Sequence, residues 1–304
     1  MQKFYSNGKL LLSGEYLILD GAIGLALPTL FGQEMHVSYT DHKNTLYWKS
    51  LDEKENVWFE AEFSLPDLSV LSFNGEKKVT ETLQKILLEA KRVNTDFLND
   101  LKGISVSTRL SFPRNWGLGT SSTLINNIAQ WAKIDAFNLL FNSFGGSGYD
   151  IACAQHDQAL SYQLKDGVPS VKTVTFNPSF KDQLYFVHLN KKQRSSESIK
   201  LYKNNKADIA AIQKISEISK NMLSAENSID FNALLKEHES ILSSILGEQT
   251  VQQRLFPDFQ GQTKSLGAWG GDFILASGGQ STTSYFKSKG YHTIIPYSSM
   301  IKKP

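Results

Sequence analysis

Residues 113–122 read Pro-Arg-Asn-Trp-Gly-Leu-Gly-Thr-Ser-Ser and run directly into an apolar-periodic helix. Gly117 and Gly119 lack Cβ atoms, so the backbone there can bring its N–H groups close to an anion. Thr120, Ser121 and Ser122 follow where the first free N–H groups and the positive end of the helix dipole converge. The chemistry this favours is the binding of a phosphate tail, with Leu118 as the apolar residue between the glycines. A plain loop with a helix cap uses the same residue types. The string lacks the Gly-Lys-Ser/Thr ending of a Walker A loop and the third glycine of a dinucleotide fingerprint, so its cation must come from elsewhere.

The elements that must position this turn are legible from periodicity. Strand patterns at residues 9–12 and 23–27 flank a glycine turn, and alternating runs follow at 35–39, 45–49 and 57–63. Residues 76–92 place Val79, Leu83, Ile86, Leu87 and Ala90 at helical spacing. Residues 104–112 alternate again and deliver the chain to the glycine turn. Leu124, Ile125, Ile128, Ala129 and Ala132 form one stripe of the helix behind it, which makes that helix the turn's rigid support. A second glycine-rich helix start, Phe-Gly-Gly-Ser-Gly-Tyr-Asp, occupies 144–150. Strands are expected at 159–164, 171–176 and 184–189, helices over 196–247, a strand at 273–276, a helix at 281–289 and a strand at 292–296. A domain change is expected near residue 180, giving a unit of 1–180 and a unit of 181–304.

A chain of 304 residues can bury a substantial core in two lobes. Its formal charge is only +2 with basic residues dispersed, which implies neither a nucleic-acid surface nor a polybasic membrane patch and leaves a small molecule as the expected partner. Cys153 is the single cysteine, excluding an intramolecular disulfide framework and any cysteine-based metal cluster. It is expected to be a buried small residue on a helix. No apolar run approaches membrane-spanning length, and no charged-then-apolar leader is visible. Cytoplasmic residence, as a monomer or homodimer, is the expectation.

Three glycine-rich elements, at 6–15, 117–122 and 264–271, together with the turn before Asp150, resemble in this order the GHMP kinases, the small-molecule kinases that include galactokinase, homoserine kinase, mevalonate kinase and phosphomevalonate kinase. Ser-Asn-Gly-Lys-Leu-Leu-Leu-Ser-Gly-Glu-Tyr is similar to the family's first motif, with Lys9 as its charge. Pro113 to Ser122 resembles the second, which wraps the ATP phosphates. Lys-Ser-Leu-Gly-Ala-Trp-Gly-Gly resembles the third, a supporting loop carrying Gly267, Gly270 and Gly271, from which Trp269 departs.

The resemblance implies an α+β, two-lobed fold: an N-terminal ribosomal-protein-S5-domain-2-like lobe and a C-terminal ferredoxin-like α/β lobe. It implies a phosphotransferase using ATP and Mg²⁺, with Asp150 as catalytic carboxylate and Lys9 as its cationic partner. A carboxylate there accepts the proton of an attacking oxygen. An N-terminal helix charge favoured by the dipole is the other reading of Asp150. The cradle hydroxyl facing the metal is Ser121. The family's extra glutamate ligand has no counterpart in 137–143, which magnesium tolerates because it retains several waters.

For the acceptor, the resemblance points to Glu15, Tyr16 and Ser147 and to the basic loop after the strand at 184–189, with Lys192 and Arg194. Arg114 adds a cation beside the cradle. Such a set suits an acceptor bearing carboxylate and phosphate. The expected substrate is therefore phosphomevalonate, with mevalonate as the alternative, in the mevalonate pathway of isoprenoid biosynthesis. Mevalonate diphosphate decarboxylase and a non-catalytic ligand-binding relative share the fold and remain further alternatives.

Overall fold

The chain begins with two strands longer than their sequence signals, β1 (Gln2–Ser13) and β2 (Gly24–Thr40), which pair with each other. The patterns expected as separate strands at 23–27 and 35–39 lie in one strand, although Pro28 within it cannot donate to a ladder. The strand continues because Pro28 and Gly32 both find partners. The Pro28 carbonyl accepts from the Lys302 amide at 3.2 Å, while the Gly32 carbonyl accepts from the Ser111 amide at 3.0 Å and the Gly32 N–H donates to the Ser111 hydroxyl at 2.9 Å. The computed structural model describes residues 1–99, 102–191, 202, 205, 207–267 and 269–303. These divide into two units that interleave along the sequence, the first made of Met1–Gly8, Phe31–Arg114 and Leu118–Gln155 and the second of the remainder. The boundary expected at 180/181 lies inside the second unit.

In the first unit β3 (Thr45–Leu51), β4 (Val57–Ser64), β5 (Val70–Asn74) and β6 (Gly103–Leu110) join β2 in the order β5-β4-β3-β6-β2. Only β3 and β6 run parallel among these pairs. Strict alternation in β3 sends Leu46 and Trp48 inward. Helix α1 (Lys77–Val93) buries Leu83, Ile86, Leu87 and Ala90 on one stripe, each large side chain stabilising by about 1.5–3 kcal/mol. Helices α2 (Thr120–Ala132), α3 (Ala136–Ser143) and α4 (Tyr149–Gln155) complete the layer, and Ile125, Ile128, Leu139 and Ile151 join Trp48, Phe59 and Phe63 in a common core. Cys153 is fully buried on α4.

In the second unit the hairpin of β7 (Leu160–Lys165) and β8 (Val168–Thr173) pairs with the opening of β2. A separate antiparallel sheet has the order β10-β11-β9-β12, from β9 (Leu184–His188), β10 (Gln262–Ser265), β11 (Phe273–Ser277) and β12 (Ile294–Pro296). Its helices are α5 (Ile209–Ser224), α6 (Ser228–Leu246), α7 (Val251–Leu255), α8 (Thr282–Ser288) and α9 (Tyr297–Met300). Asp208, Asn227 and Thr250 cap the first three by accepting backbone N–H groups, which is why these helices start where they do. The fold class is the α+β arrangement anticipated from the sequence. No described helix is long and apolar enough to cross a membrane.

Candidate active site

In the first unit the cradle ends on α2, whose N-cap is Gly119 with φ of 94° and which no side chain caps. The reason is local. The hydroxyls of Ser122 and Thr123 both turn back to donate to the Gly119 carbonyl, at 2.9 and 3.0 Å. The amides of the first turn are thus left for an external anion. Ser121 is exposed, whereas Ser122 is buried, so Ser122 can offer only its amide. Arg114 lies with its guanidinium 3.7 Å from the centre of the Trp58 ring, a cation held on an aromatic face.

Asp150 sits in the first turn of α4, where the helix dipole favours its charge. Gly145, Gly146 and Gly148 ahead of it all have positive φ, and Ser147 among them is buried. Beneath α2 and α4 runs a neutral buried network that sequence inspection did not find. Ser6 donates to Asn127 at 2.7 Å, and Asn126 donates to Ser6 at 2.9 Å. Asn127 also donates to the Gln33 carbonyl at 3.0 Å, and Gln155 donates to Asn126 at 3.0 Å. It ties β1, the cradle helix and the end of the Asp150 helix together. The signal was present as three amides and a serine at inward positions, with Gln155 reaching in from the surface, but polar residues on a helix ordinarily read as its wet face.

In the second unit the Lys9 ammonium donates to the Gly117 carbonyl at 2.9 Å. The strand that carries the first motif thereby delivers its charge to the turn that carries the second. Gly117 has φ of 67°, and a Cβ there would collide with the Asp272 carboxylate. Asp272 is held in turn by main-chain hydrogen bonds with Leu189 and Lys191, each 2.8 Å. Trp116 packs edge-on against Phe273, beside His188, whose ring nitrogen lies 3.2 Å from the Asn115 carbonyl. Lys192 and Arg194 lie outside the described residues.

Glu15 is turned inward in the same unit. Its carboxylate pairs with the fully buried Lys264, and its other oxygen lies 3.3 Å from His238. His238 accepts the Gly14 N–H at 3.0 Å through Nε2, which places its own proton on Nδ1 in this network. Burial, reinforced by the Lys264 charge, holds the His238 pKa well below the ordinary value. Burial raises the Glu15 pKa against the pull of Lys264. Glu239, 4.0 Å from the Lys264 ammonium, is pushed up to about 8, chiefly by burial. Tyr16 accepts the Trp269 N–H at 2.7 Å and stacks on Tyr202. The Trp269 indole is buried and donates to the Gln249 carbonyl at 3.3 Å. Gly267 and Gly270 have positive φ, and a Cβ on Gly270 would run into Arg254. His238 and Glu239 had escaped notice because Lys-Glu-His-Glu-Ser reads as a solvated helix face.

No family model matches the chain, and no curated protein matches it by sequence. Solved structures do. The Streptococcus pneumoniae phosphomevalonate kinase in complex with phosphomevalonate and AMPPNP superposes with a TM-score of 0.68 at 17% identity, covering 95% of this chain and 96% of that one. The Methanococcus jannaschii mevalonate kinase gives 0.67 at 13%, over 95% and 94%. The Lactococcus lactis galactokinase complexed with galactose gives 0.67 at 14%, over 99% and 95%. The chain has the GHMP kinase fold.

On that fold the structure groups the sequence-derived site residues by unit. Leu118, Gly119, Thr120, Ser121, Ser122, Ser147 and Asp150 belong to the first, and Lys9, Glu15, Tyr16, Gly117, Gly267, Gly270 and Gly271 to the second. For magnesium the residues present fit a sparsely held ion. Among the described residues no group of three His, Cys, Asp or Glu side chains is placed to hold a metal, while the exposed Ser121 hydroxyl stands at the uncapped helix start. Phosphate oxygens and water would supply the remaining ligands.

Proposed function

We propose that this chain is an ATP-dependent phosphotransferase of the GHMP kinase type, acting on a small carboxylate-bearing acceptor, with phosphomevalonate favoured over mevalonate. The observation that carries the reading is the Lys9 hydrogen bond to Gly117. It fixes an ammonium group on the glycine turn, which supplies the charge that the turn itself lacks. The amides of Gly119, Thr120, Ser121 and Ser122 grip the triphosphate and Lys9 offsets the charge that develops on the transferred group, while Ser121 would help to hold a magnesium ion that would neutralise phosphate charge. The acceptor oxygen bonds to the γ-phosphorus as the bond to the bridging oxygen breaks, and ADP leaves.

Asp150 accepts the acceptor's proton when that acceptor is an alcohol. A phosphate monoester, with a second pKa of about 6, is already largely ionised near neutral pH and has little proton to give. Asp150→Asn is therefore expected to lower turnover about 10²- to 10⁴-fold with an alcohol acceptor and much less with a phosphate acceptor, with ATP binding retained in both cases. Glu15 and Tyr16 serve by holding the third glycine loop, and Ser147, Lys192, Arg194 and Arg114 supply polar contacts to the acceptor. Substrate choice is favoured toward phosphomevalonate by the number of cations, and the phosphomevalonate complex named above shares the fold. The deciding assay measures ADP release with ATP and magnesium against mevalonate, phosphomevalonate, homoserine and simple sugars. Release with none of them, or release of carbon dioxide together with phosphate from mevalonate diphosphate, would sink this reading.

A further inference from the structure

The cluster around Lys264 contains more negative charge than it can pair. Two carboxyl groups, Glu15 and Glu239, face one ammonium, and His238 is neutral because its Nε2 accepts the Gly14 N–H. All four side chains are buried, between 0% and 3% exposed. Lys264 is committed to Glu15 and to the Ser265 carbonyl, at 2.7 Å for the latter. Neither oxygen of Glu239 makes a well-formed hydrogen bond, and the donors that approach it, the amide and hydroxyl of Ser265, are neutral. The other elements packed here add no counter-charge. From α5, Ser219 accepts from Ser13 and Ser216 accepts from the Ile23 amide, while Lys214, Glu217 and Lys220 are exposed. From β10 the neighbour of Lys264 is the neutral Ser265.

The cluster is joined to the third glycine loop by two rungs between the same pair of segments. Glu15 binds Lys264, where β10 enters the loop, and the next residue, Tyr16, binds the amide of Trp269 inside it. A movement of Lys264 away from Glu15 therefore pulls on the loop.

We propose that Glu239 is a positioning residue for Trp269 in the third glycine loop, held as the neutral acid so that Lys264 stays committed to Glu15, and that ionising it draws Lys264 away and loosens the hold on Trp269. The charge count and the lack of a well-formed hydrogen bond to Glu239 carry this assignment, and the upward displacement of Glu239 toward about 8 agrees with it. Only its effect on turnover rests on the phosphotransferase reading.

The test uses tryptophan emission of the full chain, with the Trp269 component isolated by comparison with Trp269→Phe. The Trp269 signal of the unaltered protein is expected to titrate with a midpoint of about 8, and that transition is expected to vanish in Glu239→Gln. If Glu239→Gln does not fold, Glu239→Met supplies the same uncharged side-chain length. Infrared spectroscopy at neutral pH should show a protonated-carboxyl band that either variant loses. An unchanged Trp269 titration in the variants, or no such band in the unaltered protein, overturns the proposal. With an acceptor in hand, an alkaline loss of turnover that Glu239→Gln removes is expected, whereas a merely structural role would lower turnover at every pH. If no acceptor is turned over, the emission and infrared results still decide the role of Glu239, so the two readings fail separately.

Discussion

The chain buries polar groups in two contrasting ways. Beneath the cradle helix, Ser6, Gln33, Asn126 and Asn127, with Gln155 at the exposed end, form a neutral network in which hydroxyl and amide donors meet acceptors at 2.7 to 3.0 Å. Around Lys264, formal charges are buried with fewer hydrogen bonds than their atoms can make, and Glu239 and the His238 Nδ1 are left without a well-formed hydrogen bond. Neutral groups in good geometry rigidify a site at little electrostatic risk. Buried charges hold strongly only while their count balances, because removing one partner strands the other. The first arrangement should be indifferent to pH and the second governed by it.

The largest expected effect comes from removing the one cation. Lys264→Met leaves the Glu15 carboxylate without a counter-charge and should cost about 3–5 kcal/mol in urea unfolding at neutral pH, with the loss shrinking in acid as Glu15 protonates. A cost that does not vary with pH would remove the contrast. Asn127→Ala deprives Ser6 of its acceptor and the Gln33 carbonyl of its donor, and about 1–3 kcal/mol should be lost. Here the cost should be the same across the neutral range, and a pH-dependent one would show that the network is not purely neutral.

Glu239 sharpens the comparison through linkage. Its folded pKa is raised from the ordinary 4.5 to about 8, so the folded state holds a proton that the unfolded chain has already released. That contribution is fully present below the unfolded value, declines as pH rises toward the folded value, and is gone above it. Stability of the unaltered protein should therefore fall relative to Glu239→Gln by up to about 1.4 kcal/mol per pH unit inside that window, measured by urea midpoints at several pH values. Parallel curves would contradict the assignment. The smallest effect belongs to charges left at the surface. Arg109, paired with Glu34 at 3.2 Å and Glu55 at 2.7 Å, should cost only about 0.2–1 kcal/mol when replaced by alanine, and added salt should erase that difference.

Sequence legibility follows the same division. The stripe of α1 and the alternation of β3 were readable because each side chain's burial depends on its own strand or helix period. The glycine turn at 117–122 was readable because only a few residue types tolerate its backbone. Helix α3 was missed, since Ala136, Phe137, Leu139, Leu140 and Phe141 form too short a run to show a period, and its one signal is the Asp135 cap on Asn138. Strand β5 was missed because all its residues are exposed and no alternation marks it. The pairing of Glu15 with Lys264 was out of reach for a different reason. The partners are 249 positions apart, and nothing in the local pattern around either one announces the other.

Gly117 is constrained twice over, by a left-handed backbone and by the Asp272 carboxylate that occupies the space a side chain would need. The two barriers cannot be lifted together by any single exchange. Shortening residue 272 to alanine opens the space but leaves the dihedral strain, and no change at 272 alters the handedness of the turn. In a saturation library this position should behave as a locked one, tolerating no second-site suppressor.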